Sequence, residues 1–95
     1  MPGACAPVKF ADFECSPEIG AKLWYKHHVD VSEVQEVLEG DLLVRRGRYG
    51  RYHLYGRTLA GRYLFVVVRD LGGDLCEVRS ARDMTGAERR AYWRR

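Results

Sequence analysis

From Gly40 onward the chain alternates strand-like stretches with short turn signals, and that rhythm limits the fold more than any other feature. Four stretches qualify as strands: Leu42–Arg45, Arg51–Arg57, Arg62–Arg69 and Leu75–Ala81. The links between them are Arg-Gly-Arg-Tyr-Gly at 46–50, Thr58 to Gly61, and Asp-Leu-Gly-Gly-Asp at 70–74. Glycine and aspartate in such links supply the backbone conformations that tight turns require. A crossover between parallel strands needs roughly a dozen residues or more, so links this short impose an antiparallel meander.

The first half reads differently. Lys9 to Cys15 alternates loosely, with Phe10 and Phe13 apolar and Asp12 and Glu14 polar, and is expected to form a first strand. Ser16-Pro17-Glu18 starts a helix: a hydroxyl cap, a proline at the first helical position and an acid at the positive helix end. Ile19 and Leu23 share its apolar stripe, and it reaches His27 or His28, the latter in the left-handed turn usually given to glycine. Asp30 or Ser32 caps a second helix with Val31, Val34, Val37 and Leu38 on one face, ending at Gly40. Thr85-Gly-Ala-Glu88 is a capping box that opens a third. The expected order is β-α-α-β-β-β-β-α, an α+β fold with helices on a twisted antiparallel sheet, in a single domain over residues 1–95.

Composition removes several classes. Hydrophobic residues make up 46% of the chain, enough for a core and against global disorder. No apolar run approaches the ~20 residues of a membrane helix, and MPGACAPV has neither a cationic start nor an apolar stretch after it. Cys5, Cys15 and Cys76 form no Cys-x-x-Cys pair, which argues against a disulfide framework and against structural zinc. Reduced thiols in a cytoplasm, with no membrane partner and no cofactor, is the expectation. The net charge of +3 conceals a polarity. Met1 to Asp41 holds three lysines against eight acidic residues, a balance of −5, whereas Leu42 onward holds thirteen arginines against five acidic residues, a balance of +8. Arginine makes planar, two-pronged contacts with phosphate or carboxylate, so nucleic acid and an acidic protein are both expected partners of the second half.

Three constellations could carry chemistry. His27 ends the first helix, where its cation is favoured by the dipole, and is either a packing or capping residue or a catalytic one. Arg51, His53, Tyr55 and Arg57 share one face of a strand, a row suited to RNA unless a helix covers it. Arg62 and Arg69 end the next strand and are expected to be exposed anchors. Arg79 and Arg82 precede the third helix, on which Glu88 meets Tyr92 and Arg89 meets Trp93. That cluster is a cleavage site or an ion-pair network clamping the helix.

The pattern Lys26-His27-x-Val29 with Glu33, Tyr55-Gly56-Arg57-Thr58, Ala60-Gly61-Arg62, Val66-Val67-Val68, and Ser80-Ala81-Arg82-Asp83-Met84-Thr85 with Glu88-Arg89 and Tyr92 resembles the BrnT family of type II toxin–antitoxin systems. The similarity runs from about Phe13 to Arg94, with the Ser-Ala-Arg … Thr … Glu-Arg … Tyr portion its most specific part. Two positions depart: His28 stands where the family often has glycine, and His53 where many relatives are apolar, so a role for His53 is not inherited. The resemblance implies a fold related to RelE-type toxins, metal-independent cleavage of RNA, and a BrnA-like antitoxin, the assembly being a homodimer or a toxin–antitoxin heterotetramer.

Cleavage without metal proceeds by attack of the ribose 2′-hydroxyl on its own phosphate, and needs a base, a proton donor and cations for the phosphorane. Arg57 and Arg82 are expected at the phosphorane, and His27, His53 or Glu88 is the base, with Tyr92 donating or orienting. Arg51, Arg62, Arg69, Arg79 and Arg89 hold the RNA backbone. The alternative is a non-catalytic basic module that binds RNA or an acidic protein. Expressed in a host cell, Arg82→Ala is expected to abolish growth arrest with an unchanged circular dichroism spectrum; an unfolded or still toxic variant overturns that role.

Overall fold

The computed structural model describes residues 10–95, so Cys5 and the expected start of the first strand at Lys9 lie outside the described residues. The elements are β1 (Asp12–Glu14), α1 (Pro17–His27), α2 (Val31–Glu39), β2 (Leu43–Arg46), β3 (Arg51–Arg57), β4 (Tyr63–Gly72), β5 (Leu75–Asp83) and α3 (Gly86–Arg94). This is the expected order, in one five-stranded sheet arranged β1-β5-β4-β3-β2.

The helix starts follow the side chains that predicted them. Ser16 Oγ accepts from Ile19 N at 3.1 Å. Asp30, and not Ser32, caps α2: its Oδ1 accepts from Ser32 N at 2.8 Å while Glu33 Oε1 accepts from Asp30 N at 3.0 Å. At the start of α3, Thr85 Oγ1 accepts from Glu88 N at 3.1 Å while Glu88 Oε1 accepts from Thr85 N at 2.8 Å. His28 closes α1 in the left-handed region, with φ 52°.

Two strand details differ from expectation. β2 through β5 pair antiparallel, but β1 lies parallel to β5, with Phe13 opposite Cys76. The backbone N–H groups of Ala11 and Asp12 donate to Asp74 O at 2.8 and 3.4 Å, hooking β1 onto the β4–β5 turn and fixing its direction. That turn is also tighter than the sequence implied. β4 runs on through Asp70 and Leu71, leaving Gly73 and Asp74 between the strands, both left-handed with φ 61° and 64° as a two-residue hairpin demands.

One face of the sheet is the core face. Leu54, Leu64, Val66, Val68, Cys76, Val78 and Ala81 are buried there against Leu23, Val29, Val34, Val37 and Leu38 of the helical layer. Burial lifts the Cys76 thiol to about 11, which leaves it inert as a nucleophile. Gly56 lets the sheet lie close against α2: a Cβ there would stand 2.8 Å from Val37 Cγ1 and 3.1 Å from Leu42 Cδ2.

Arg62 fastens the layers and corrects the expectation of an exposed anchor. Its guanidinium donates to Asp83 Oδ1 and Oδ2 at 2.7 and 3.1 Å and to Glu33 Oε1 at 3.1 Å. It also donates to the carbonyls of His27 and His28 at 2.8 and 2.7 Å. A cation on the last carbonyls of α1 complements the helix dipole, and Glu33 brings in the first turn of α2. The Arg62 bond holds the Asp83 carboxyl below its ordinary value.

Two outcomes follow from this packing. Gly56→Ala is expected to lose about 1–3 kcal/mol, because Val37 is locked in the core, and to lower the urea midpoint with the slope unchanged. Asp83 has a depressed folded value, so its contribution is complete above the ordinary aspartate value of 3.8 and is lost as pH falls below it. Asp83→Asn is therefore expected to be less stable than the parent near neutral pH but to lose less on acidification to about pH 2, measured by urea unfolding.

Candidate nucleic-acid interface

The opposite face of the sheet carries the polar side chains, and the strand register arranges them in rows. Arg45, His53, Val67 and Ser80 form one row across β2, β3, β4 and β5. Leu43, Tyr55, Phe65 and Arg82 form the next, and Arg57 opposite Tyr63 the one beyond. On the other side of the His53 row, Arg51 stands opposite Arg69, and Arg69 opposite Glu77. Like charges directly opposed across an antiparallel pair are destabilising, a cost that the Glu77 carboxylate 3.5 Å from Arg69 reduces.

A β-bulge brings in a further arginine. Val68 pairs with Val78 and Val67 with Ser80, which leaves Arg79 without a cross-strand partner. Arg79 and Ser80 are consecutive and both exposed. The sequence contained the signal: buried Cys76 and Val78 are two apart, but the next buried residue, Ala81, follows after three.

The result is a groove of about 830 Å³ bordered by Arg46, Arg48, Arg51 and Arg79, with His53, Val67 and Ser80 in its lining. The β2–β3 turn closes one side through Gly47 and Tyr49. A Cβ at Gly47 would stand 2.8 Å from His53 Nε2, so glycine at that position lets the β2–β3 turn lie close against the imidazole. His53 packs edge-on against Phe65 at 5.3 Å between centroids, which holds the ring upright in the row. The only tie on Arg79 among the described residues is a 3.3 Å bond to Glu77, which also lies 3.5 Å from Arg69. Surface contacts of this kind are weak and yield readily to a phosphate.

The adjacent row is occupied from above by α3. Arg82 forms a two-pronged pair with Glu88, at 2.8 and 3.0 Å, and lies 4.4 Å over the Phe65 ring. The Arg82 bond is the main reason the Glu88 carboxyl is held low, and Glu88 also accepts from Thr85 N. Glu88 is thereby a charged clamp, engaged by Arg82 and by the Thr85 N–H. Burial, and then the Glu88 charge, push the Tyr55 phenol up, so its hydroxyl stays protonated.

At the far end, α3 covers the sheet. Tyr92 is buried and donates its hydroxyl to Asp41 O at 2.6 Å, so it anchors the helix rather than facing the groove as a donor. Arg95 pairs with Asp41 beside it. Arg89 lies 4.4 Å over the Tyr63 ring, and Arg57 5.9 Å over the same ring and 5.6 Å over Trp93. Arg57, Leu59, Trp93 and Arg95 line a second recess of about 530 Å³.

The expected residues therefore divide. Arg51, His53 and Arg79 share the open groove, with Arg69 on its flank. Arg82 and Glu88 neutralise one another beside it, and Arg57, Arg89 and Tyr92 belong to the α3 end. His27 ends α1, in the helical layer on the other face, and joins neither group. Arg46, Arg48 and Tyr49 entered the sequence reading only as a turn, because their approach to His53 depends on how the hairpin curls. Among the described residues no group of three or more His, Cys, Asp and Glu is arranged to hold a metal ion, and no helix is long and apolar enough to cross a membrane.

Protein-family models were compared with the sequence and none matches. Curated proteins likewise give no match. Among solved structures, the crystal structure of the Brucella abortus ribonuclease toxin BrnT matches with a TM-score of 0.66. The match covers 78% of this chain and 96% of that one, at 16% sequence identity. At that identity the likeness is one of architecture: this chain has the fold of the BrnT ribonuclease toxin, in agreement with the resemblance of its sequence motifs.

Proposed function

We propose that the protein is a toxin-type endoribonuclease that cuts RNA by internal attack of a ribose 2′-hydroxyl, without a metal ion. The observation that carries this reading is the convergence of Arg46, Arg48, Arg51 and Arg79 on one groove that also holds His53. Four guanidiniums without a carboxylate among the lining residues suit a polyanion, and an imidazole in the same lining can accept and return a proton. The shared fold with a ribonuclease toxin supports the same direction.

The chemistry then assigns roles. His53 takes the proton of the 2′-hydroxyl, whose oxygen attacks phosphorus. The bond from phosphorus to the 5′-oxygen breaks, and that oxygen receives a proton, leaving a 2′,3′-cyclic phosphate and a free 5′-hydroxyl. Tyr55, two residues along the same strand face and held protonated, is the donor. Arg51 and Arg79 balance the charge of the phosphorane through charge-assisted bonds, while Arg46 and Arg48 hold the flanking backbone. Arg82 is a positioning residue: it keeps the Glu88 carboxylate neutralised beside Tyr55. As a toxin, the protein works in the cytoplasm and is held in check by an antitoxin whose acidic groups compete for the same arginines.

Purified protein incubated with total RNA in EDTA tests the proposal. Cleavage is expected to persist and to leave cyclic phosphate ends, and His53→Ala is expected to slow it about 10²–10⁴-fold with an unchanged fold. RNA binding without cleavage overturns the enzymatic reading in favour of a binding module. Full activity in His53→Ala removes His53 from the chemistry.

A further inference from the structure

Three described residues other than glycine have a left-handed backbone: His28, Tyr49 and Asp74. Two have a structural reason. His28 ends α1, and its N–H donates to the carbonyl of Trp24 at 2.9 Å. Asp74 is a residue type that tolerates the conformation, and its carbonyl receives the start of β1. Tyr49 has neither.

Arg51 N donates to Arg48 O at 3.2 Å across Tyr49 and Gly50, whose φ values are 60° and 72°. This is a type I′ turn, which asparagine, aspartate or glycine fill with little strain and a bulky aromatic side chain does not. Burial gives nothing in return, because Tyr49 is 86% exposed and makes none of the aromatic contacts found elsewhere on the sheet. The strained turn is nevertheless held in place: Gly47 N donates to Arg51 O at 2.8 Å, and Asp70 N donates to Gly50 O at 3.2 Å. A large ring is thus presented on a braced turn, in water, at the edge of the arginine groove between Arg48 and Arg51.

We infer that Tyr49 is a nucleobase-stacking platform, which takes one unpaired base of a single-stranded RNA whose phosphates lie on Arg48, Arg51 and Arg79. The inference rests on the ribonuclease reading above and deepens it by naming the substrate class. Bases in a duplex are already stacked on their neighbours and cannot lie on the ring, whereas a single strand can turn one base out. The phosphate contacts carry no information about base pairing, so Tyr49 is the element of the groove that distinguishes a single strand from a duplex.

The test uses the full chain and a short single-stranded RNA methylated at its 2′-oxygens, which can bind but not be cut. The same strand with abasic sugars serves as the control. Tyr49→Asn is expected to bind the strand with bases roughly tenfold more weakly and the abasic strand within about twofold of the parent. The dependence of affinity on salt is expected to stay the same, since no phosphate contact is lost. Tyr49→Phe is expected to bind like the parent, and Tyr49→Asn to melt no lower than it, asparagine being the better fit to the turn. Unchanged affinity of Tyr49→Asn for the strand with bases, or an equal loss on both strands, overturns the stacking role while leaving the ribonuclease reading intact. A parent protein that binds neither strand overturns that reading and the stacking role with it.

Discussion

The two-residue period of a β-strand is the constraint on which the rest depends. Once Leu54, Val66 and Val78 are committed to the helical layer, the residues between them must point the other way. β3 shows this most plainly: Tyr52, Leu54 and Gly56 are buried, and Arg51, His53, Tyr55 and Arg57 emerge on the opposite face. Core and site are therefore one decision. A slip of one residue in the β3–β4 register would bury His53 and expose Leu54, losing the fold and the groove together.

The arginines of the second half do three kinds of work, and the side chains around them separate the kinds. Arg62 is structural, with two carboxylates and two helix-end carbonyls gathered on one guanidinium at the strand ends. Arg82, Arg89 and Arg95 bind α3 to the sheet through Glu88, the Tyr63 ring and Asp41. Arg46, Arg48, Arg51 and Arg79 are left to line a groove. The terminal helix also sets the extent of the open face: it roofs the Arg57 row, reaches the Tyr55 row through Glu88, and leaves the His53 row open.

Local chemistry was readable in the sequence and long-range pairing was not. Ser16, Asp30 and Thr85 act within three residues of themselves, and each caps the helix its motif indicates. The alternation of β3 was visible for the same reason. The parallel seat of β1 was hidden because it depends on a hook to Asp74, far along the chain. Arg62 was misread because a strand-end arginine looks the same whether it faces water or two helix termini 29 to 35 residues away in sequence. Tyr92 is a parallel case: its spacing of four from Glu88 on a helix gives no sign that its hydroxyl is taken by the Asp41 carbonyl. The bulge at Arg79 lies between these cases, since a break in apolar spacing announced it and only the pairing shows which side chain it delivers.

The groove is electrostatically unfinished in the free protein. Arg51 faces Arg69, Arg46 and Arg48 approach from the hairpin, Arg79 from the bulge, and Glu77 is the carboxylate that Arg69 and Arg79 share. Self-repulsion of this kind weakens a fold unless water and salt screen it. On the proposed reading, a sugar-phosphate chain supplies the missing charge and releases the counterions that had stood in for it. Binding the folded state alone then stabilises it in proportion to the logarithm of ligand concentration over the dissociation constant. The same reasoning accounts for the ring on the strained turn. If Tyr49 stacks a base as inferred above, that contact is what offsets its left-handed turn, since the ring is exposed in the free protein.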